Sequence, residues 1–126
     1  MIELCIAALL VSIGSVVGQY AMFRWLDGYE PTAGKPILAV RLSALPLVYS
    51  SRTIFPAQGT AAGRDFLAAP ESTSALERLR QRGFRYVIYE RRPITAGYDE
   101  PFERPEFVRS LREIHLEGGL TLYEAP

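Results

Sequence analysis

The chain has 126 residues, in which 14 lysines and arginines balance 14 aspartates and glutamates, and 48% of the residues are hydrophobic. This length allows one domain rather than two. The balanced charge does not indicate the basic face with which nucleic-acid-binding proteins neutralise phosphates. Because the chain has one cysteine and one histidine, an intramolecular disulfide and a Cys/His zinc site are both excluded.

The N-terminal residues 4–23 form a long apolar stretch without a charged side chain. As a helix rising about 1.5 Å per residue, this stretch reaches roughly 30 Å, the thickness of a bilayer hydrocarbon core. Trp25 and Tyr29 follow it and are typical of a membrane–water interface. We therefore predict one transmembrane helix with its flank over residues 1–26, and a membrane localisation as a single-span chain.

Two other interpretations of this stretch stay open. A cleaved signal peptide would begin with basic residues, whereas this chain begins with Met1, Ile2 and Glu3. A buried core helix would usually be shorter or carry a polar stripe. The positive-inside rule alone places the following domain in the cytoplasm, but earlier helices would set the topology if this helix is the last of several. The abrupt apolar start favours a fragment, or split product, of a longer membrane protein.

Residues 27–36 contain two glycines and two prolines and are predicted to be a linker. Residues 37–126 are predicted to form a small α/β domain that begins with two buried strands, Ile37–Val40 and residues 47–49. The small residues of 51–63 predict a loop, and residues 64–69 a short helix that ends before a proline.

The clearest helix follows, because Ser74 and Glu77 fit a capping box and Gly83 fits a left-handed C-terminal cap. The aromatic and β-branched residues 84–89 then predict a central strand. A helix, one glycine and a buried strand in succession form an αβ unit of a Rossmann-like or related sheet.

After a polar loop over residues 91–104, Pro105 is predicted to start a second helix that runs to about residue 111. The chain then closes in a hairpin with a Gly118-Gly119 turn, in which alternation turns Ile114 and Leu116 inward and His115 toward solvent. The predicted fold class is thus α/β, one N-terminal transmembrane helix followed by a small sheet-and-helix domain that ends in a β-hairpin.

No catalytic residue, metal site or cofactor is predicted. A Ser/His/acid triad would have to use His115, and a surface histidine lacks the positioned partners that a base needs. Ligand contact is predicted instead on loops that follow strands, where α/β sheets most often bind ligands. The candidates, of which the arginines suit an anionic group, are Tyr49, Arg52, Arg91, Arg92 and Tyr98. The alternative is that these are ordinary solvated loop residues.

The order of motifs from residue 45 onward, LPLVYSSR, SALERLRQRG, RYVIYERR and EIHLEGGLTLYEAP, resembles a known family. It is similar to the extracytoplasmic C-terminal domain of GT-C-type membrane glycosyltransferases, the polyprenyl- or dolichyl-phosphate-sugar-dependent group that includes protein mannosyltransferases and aminoarabinose transferases. In that family a last transmembrane helix leads into a small α/β domain. The resemblance therefore implies that the soluble domain here is extracytoplasmic.

The resemblance also implies a parent enzyme that moves a sugar from a lipid-phosphate carrier to a protein or lipid acceptor. The family's catalytic acid lies in an N-terminal loop that this chain lacks, so no catalytic residue carries over. The chain is then a C-terminal accessory domain, not catalytic alone, whose partners are membrane lipid, the remaining transmembrane helices of a parent or split protein, and a lipid-linked sugar or acceptor, but not nucleic acid. The alternative is a single-span, membrane-anchored binding module with no enzymatic role.

Overall fold

A computed structural model describes residues 20–40, 50–90 and 100–126. The strands are β1 (Ile37–Val40), β2 (Ile54–Pro56), β3 (Tyr86–Glu90), β4 (Arg112–Glu117) and β5 (Leu120–Glu124). The helices are α1, described over residues 20–27, α2 (Ala61–Leu67), α3 (Ser72–Gln81) and α4 (Pro105–Ser110). Short 3-10 turns span Glu30–Thr32 and Pro101–Glu103.

The strands form one mixed sheet in the order β2-β1-β3-β5-β4. β1 pairs in parallel with both β2 and β3, whereas β5 pairs antiparallel with both β3 and β4. The chain runs from β2 through α2 and α3 to β3, so it passes over β1 before rejoining the sheet. From β1 the chain therefore adds β2 on one side and β3 on the other, so the order of the parallel strands reverses between β1 and β3.

Both faces of the sheet are covered, because β1 and β3 carry apolar side chains in succession rather than in alternation with polar ones. Helices α2, α3 and α4 cover one face, with a core of Leu38, Val40, Ala57, Phe66, Ala69, Ala75, Leu79, Phe84, Val87, Phe102, Phe107 and Leu111. Helix α1 covers the other face, with a core of Met22, Phe23, Leu26, Ile37, Tyr86, Ile88, Leu120 and Leu122.

The predicted αβ unit is confirmed. Helix α3 ends at Gln81, and Gly83, whose φ is +77°, follows the C-cap Arg82. The Gly83 and Phe84 amides donate to the carbonyls of Arg80 and Leu79, at 3.1 and 2.9 Å, which is the Schellman pattern. At the other end, the predicted capping box of Ser74 and Glu77 is wrong, because α3 begins at Ser72 with Glu71 as its N-cap. Ser74 Oγ accepts from the Glu71 amide at 3.1 Å and donates to the Glu71 carbonyl at 2.8 Å. The chain then enters β3, which is the central strand as predicted.

The helix at Pro105 and the closing hairpin are also confirmed. The prediction for residues 51–63 is wrong, because that segment contains β2 and the first turn of α2. Thr60 caps α2 by accepting from the Gly63 amide at 3.1 Å, so the small residues that suggested a loop begin a helix. The strand predicted at residues 47–49 lies outside the described residues.

The prediction of a single transmembrane helix, and with it the single-span membrane localisation, is contradicted within the described residues. In the part of the chain that the structure describes, no helix has the length and apolar character needed to cross a bilayer. Residues 4–19 of the predicted span lie outside that part, but residues 20–23 lie within it. There Met22 and Phe23 are fully buried against the sheet, together with Leu26. These side chains are apolar because they belong to a protein core.

The substitution Gly63→Ala is expected to lower the free energy of unfolding by about 1–3 kcal/mol through overpacking. A Cβ at this position would lie 2.3 Å from the Cα and carbonyl oxygen of Ala57, which are backbone atoms and cannot turn aside. Urea unfolding measures the loss. Gly59→Ala is the matched control, since the nearest atoms to its Cβ would be those of Pro56, none closer than 3.4 Å. Equal losses in the two variants would contradict the predicted clash.

Candidate functional site

Arg52 lies at the opposite edge of the sheet from the one predicted. It precedes β2, which begins at Ile54, and the neighbouring Thr53 carbonyl accepts from the Ile37 amide at 2.9 Å at the start of β1. Residues 50–53 therefore lie at the amino edge of the parallel strands. Ligands of such sheets usually bind at the carboxyl edge.

The Arg52 guanidinium binds the chain's own backbone. Its Nη2 donates to the carbonyls of Asp27 at 2.9 Å and Tyr29 at 3.2 Å, and its Nε donates to the carbonyl of Leu26 at 3.3 Å. These carbonyls lie at the C-terminal end of α1, where the helix dipole favours a cation. Arg52 is thus a cap of α1, which accounts for its presence without a ligand.

Asp27, the last residue of α1, binds the residues that precede Arg52. Its Oδ1 accepts from Ser50 Oγ at 2.8 Å, the Ser51 amide at 2.9 Å and Ser51 Oγ at 3.1 Å. Partial burial raises the pKa of Asp27, but the hydrogen bonds from Ser50 and Ser51, with the charge of Arg52, outweigh it and hold the pKa below its usual value. We call these four residues, Asp27, Ser50, Ser51 and Arg52, the α1 latch.

The other four predicted ligand residues, Tyr49, Arg91, Arg92 and Tyr98, lie outside the described residues. Arg52 therefore does not lie at the carboxyl edge of the sheet, where it was predicted. A shared ligand site of the other four residues stays a prediction. Arg91 and Arg92 directly follow Glu90, the last residue of β3, in the chain. They thus continue from the carboxyl end of a strand at the point where the strand order reverses.

The predicted orientation of His115 is wrong because a β-bulge interrupts β4. Glu113 pairs with Tyr123 and His115 with Leu122, so Ile114 is the extra residue. The bulge turns His115 to the same face of the sheet as Leu122, where α1 packs. Leu116 is correspondingly turned outward and is 56% exposed. The alternation of apolar and polar residues along β4 does not reveal that Ile114 is an extra residue.

His115 stacks on Trp25 of α1, with ring centroids 3.8 Å apart and ring planes 6° from parallel. Trp25 also stacks with Tyr29, at 4.9 Å and 18°. His115 Nε2 lies 2.9 Å from Glu117 Oε2. The two aromatic residues predicted to lie at a membrane interface therefore belong to a contact between α1 and the hairpin.

A second polar cluster surrounds Glu124 at the amino edge of β3. Its carboxylate pairs with Arg112 at 2.8 Å and with Arg85 at 3.3 Å. Burial raises the pKa of Glu124, but the hydrogen bonds from Arg112 and Tyr86 outweigh it and hold the pKa below its usual value. For Tyr86, burial and the Glu124 carboxylate both raise the pKa of the phenol.

Beside this cluster lies an open groove of about 310 Å³, lined by Leu76, Arg80, Gly83, Phe84, Arg85, Ala125 and Pro126. Both of its arginines are paired within the domain, Arg80 with Glu77 and Arg85 with Glu124. Within residues 20–40, 50–90 and 100–126, no group of three or more His, Cys, Asp or Glu side chains is placed to hold a metal ion.

Comparison of the chain with protein-family models, with curated proteins and with solved structures finds no match.

Removing the Arg52 side chain is expected to lower the free energy of unfolding by about 1–3 kcal/mol, because three backbone carbonyls lose a charged donor. Urea unfolding of Arg52→Ala measures this loss. Arg82→Ala truncates an exposed arginine at the end of α3 and is expected to change stability by less than about 0.5 kcal/mol. An Arg52→Ala variant as stable as Arg82→Ala would contradict the capping role.

Asp27 is expected to make stability depend on acidity in a defined direction. Because its folded pKa lies below the ordinary value of 3.8, its contribution is fully present above that value and is lost as the pH falls through the lower, folded pKa. Asp27→Asn removes this dependence. Urea unfolding at a series of acidic pH values should therefore show a steeper loss in the wild type than in Asp27→Asn. Parallel curves would contradict the prediction.

Proposed function

We propose that the chain is an accessory domain of a glycosyltransferase that takes its sugar from a lipid-phosphate carrier, and that it performs no transfer alone. The order of the C-terminal motifs, which resembles that family, supports the assignment. The αβ unit with its Gly83 cap and the closing hairpin strand, on which the resemblance depends, are formed as the sequence predicts.

The observation that carries the accessory role is the rigid attachment of α1. Met22, Phe23 and Leu26 are fully buried against the sheet, and the α1 latch fixes the C-terminal end of the helix. The turn that follows is packed as well, since Thr32 is fully buried and its hydroxyl donates to the Tyr29 carbonyl at 2.8 Å. The domain thus has no loose joint between α1 and β1. A fixed orientation is what a domain needs if it acts by positioning a substrate beside another part of an enzyme.

The polar groups of the described residues support a role without catalysis. Asp27 and Arg52 serve the α1 latch, and His115 is engaged by Trp25 and Glu117. In this part of the chain, the hydrogen-bond partner of the His115 ring is the Glu117 carboxylate. It is not a serine, threonine or cysteine nucleophile, the pairing on which acyl transfer by covalent catalysis depends.

Within this proposal, the donor's phosphate contacts Arg91 and Arg92. Two adjacent guanidinium groups suit a phosphate because each presents a planar fork of donors. In the chain they directly follow Glu90, the last residue of β3, and β3 ends at the carboxyl edge of the parallel strands. That edge is the one at which α/β sheets bind ligands.

The accessory role is tested by sugar transfer in detergent extracts of cells that carry the gene. The donors are polyprenyl-phosphate mannose and polyprenyl-phosphate aminoarabinose, each labelled in the sugar. Deleting the coding region for residues 20–126 should abolish transfer from one donor, and re-expression should restore it. Purified chain alone should transfer neither sugar.

Each contrary outcome has a separate meaning. Transfer by the purified chain alone would contradict the accessory role. Unchanged transfer after the deletion would contradict the link to a glycosyltransferase, and would favour the binding module without enzymatic role.

The variant Arg91→Ala/Arg92→Ala is expected to raise KM for the lipid-linked donor about tenfold or more, because charge-assisted hydrogen bonds to the phosphate are lost. Arg80→Ala/Arg82→Ala is the matched control, with two arginines removed from the surface of α3. The unfolding free energy of both variants is measured alongside, so that a folding defect is recognised. Equal KM values in the two variants would contradict the donor contact.

A further inference from the structure

The contact between His115 and Trp25 joins two different layers of the domain. His115 lies on β4, at the end of the sheet, and Trp25 lies on α1. Their rings are stacked at 3.8 Å, close enough for direct van der Waals contact over the whole imidazole. They are the single histidine and the single tryptophan of the chain, so each can be observed without interference from another residue of its type.

The charged groups around His115 come from β4, α1 and β5. Glu117 Oε2 lies 2.9 Å from Nε2, and the two side chains are 28% and 38% exposed, so the pair is partly shielded from water. From α1, Arg24 lies over the Tyr20 ring at 6.0 Å, and Asp27 is held by Ser50 and Ser51. From β5, Leu122 is the partner opposite His115, and Glu124 is engaged by Arg85 and Arg112.

Protonation changes the strength of both contacts. Imidazole gains its charge between about pH 8 and pH 5. The imidazolium is attracted by the Glu117 carboxylate and by the negative face of the indole ring. The neutral ring keeps the stacking contact and, as the Nε2–H tautomer, donates to Glu117, but it carries no charge to strengthen either contact. We propose that His115 is a proton-controlled clasp, which holds α1 more tightly on the sheet when it is protonated.

The consequence concerns the joint between α1 and the sheet. At acidic pH the clasp adds to the α1 latch and stiffens this joint, and at alkaline pH only the latch and the apolar contacts remain. The clasp is independent of the proposed glycosyltransferase role, because it follows from the geometry of α1 on the sheet.

Tryptophan fluorescence of the full chain between about pH 5 and pH 8 gives the first test, over the range in which imidazole titrates. A protonated imidazole in contact with an indole quenches its emission, so emission should fall on acidification in a single transition. His115→Phe keeps an aromatic ring against Trp25 but cannot be protonated, and its emission should not change. A flat titration in the wild type, or the same transition in His115→Phe, would overturn the proposal.

Hydrogen exchange gives the second test, because it reports how often α1 leaves the sheet. Protection factors of the α1 amides, corrected for intrinsic exchange, should be about two- to fivefold higher at the acidic end of the titration, as expected from a cation–π contact. Glu117→Gln should reduce this ratio, whereas Glu113→Gln, on the other face of β4, should not. If His115→Phe fails to fold, the ratio in the wild type decides alone, and a ratio of one would overturn the proposal.

Discussion

The structure depends on the need to cover a sheet that is apolar on both faces. Each residue of β1 is fully buried, and the first three residues of β3 are buried as well. A sheet of this kind cannot leave either face in water, because each exposed face would lose the free energy that burial of its side chains provides. Helices α2, α3 and α4 meet this requirement on one face. Helix α1 covers the other face with Met22 and Phe23, at the end of the N-terminal apolar stretch, and with Leu26.

This constraint explains why Met22 and Phe23, at the end of a stretch with the composition of a membrane span, pack on protein. Leucine, methionine and phenylalanine have the same hydrophobicity against lipid as against a sheet, so composition alone does not distinguish the two surroundings. The distinguishing sign was in the strands. The uninterrupted apolar sequence of Ile37–Val40 indicates burial on both faces and therefore a second covering layer. The aromatic residues after the stretch then contribute to that layer.

Local signals predicted the elements whose ends are set by neighbouring residues. Gly83 and Pro105 each fix a backbone conformation, and the predicted αβ unit and α4 follow from them. Elements set by distant partners were missed. β2 is three residues long and is stabilised by pairing with β1, and the partners of Arg52 lie 23 to 26 residues earlier in the chain. Neither feature has a periodicity that the sequence could reveal, so the capping contacts of Arg52 were not predicted.

Pro56, at the end of β2, has a consequence for the behaviour of the domain in concentrated solution. Residues 53 and 57 form the hydrogen bonds to β1, so residue 56 has the opposite parity and its nitrogen points away from the sheet. Proline has no amide hydrogen there, and a foreign strand that approached this side would find a donor missing. Short edge strands that contain proline discourage the strand pairing between molecules through which many β-rich proteins assemble into fibrils.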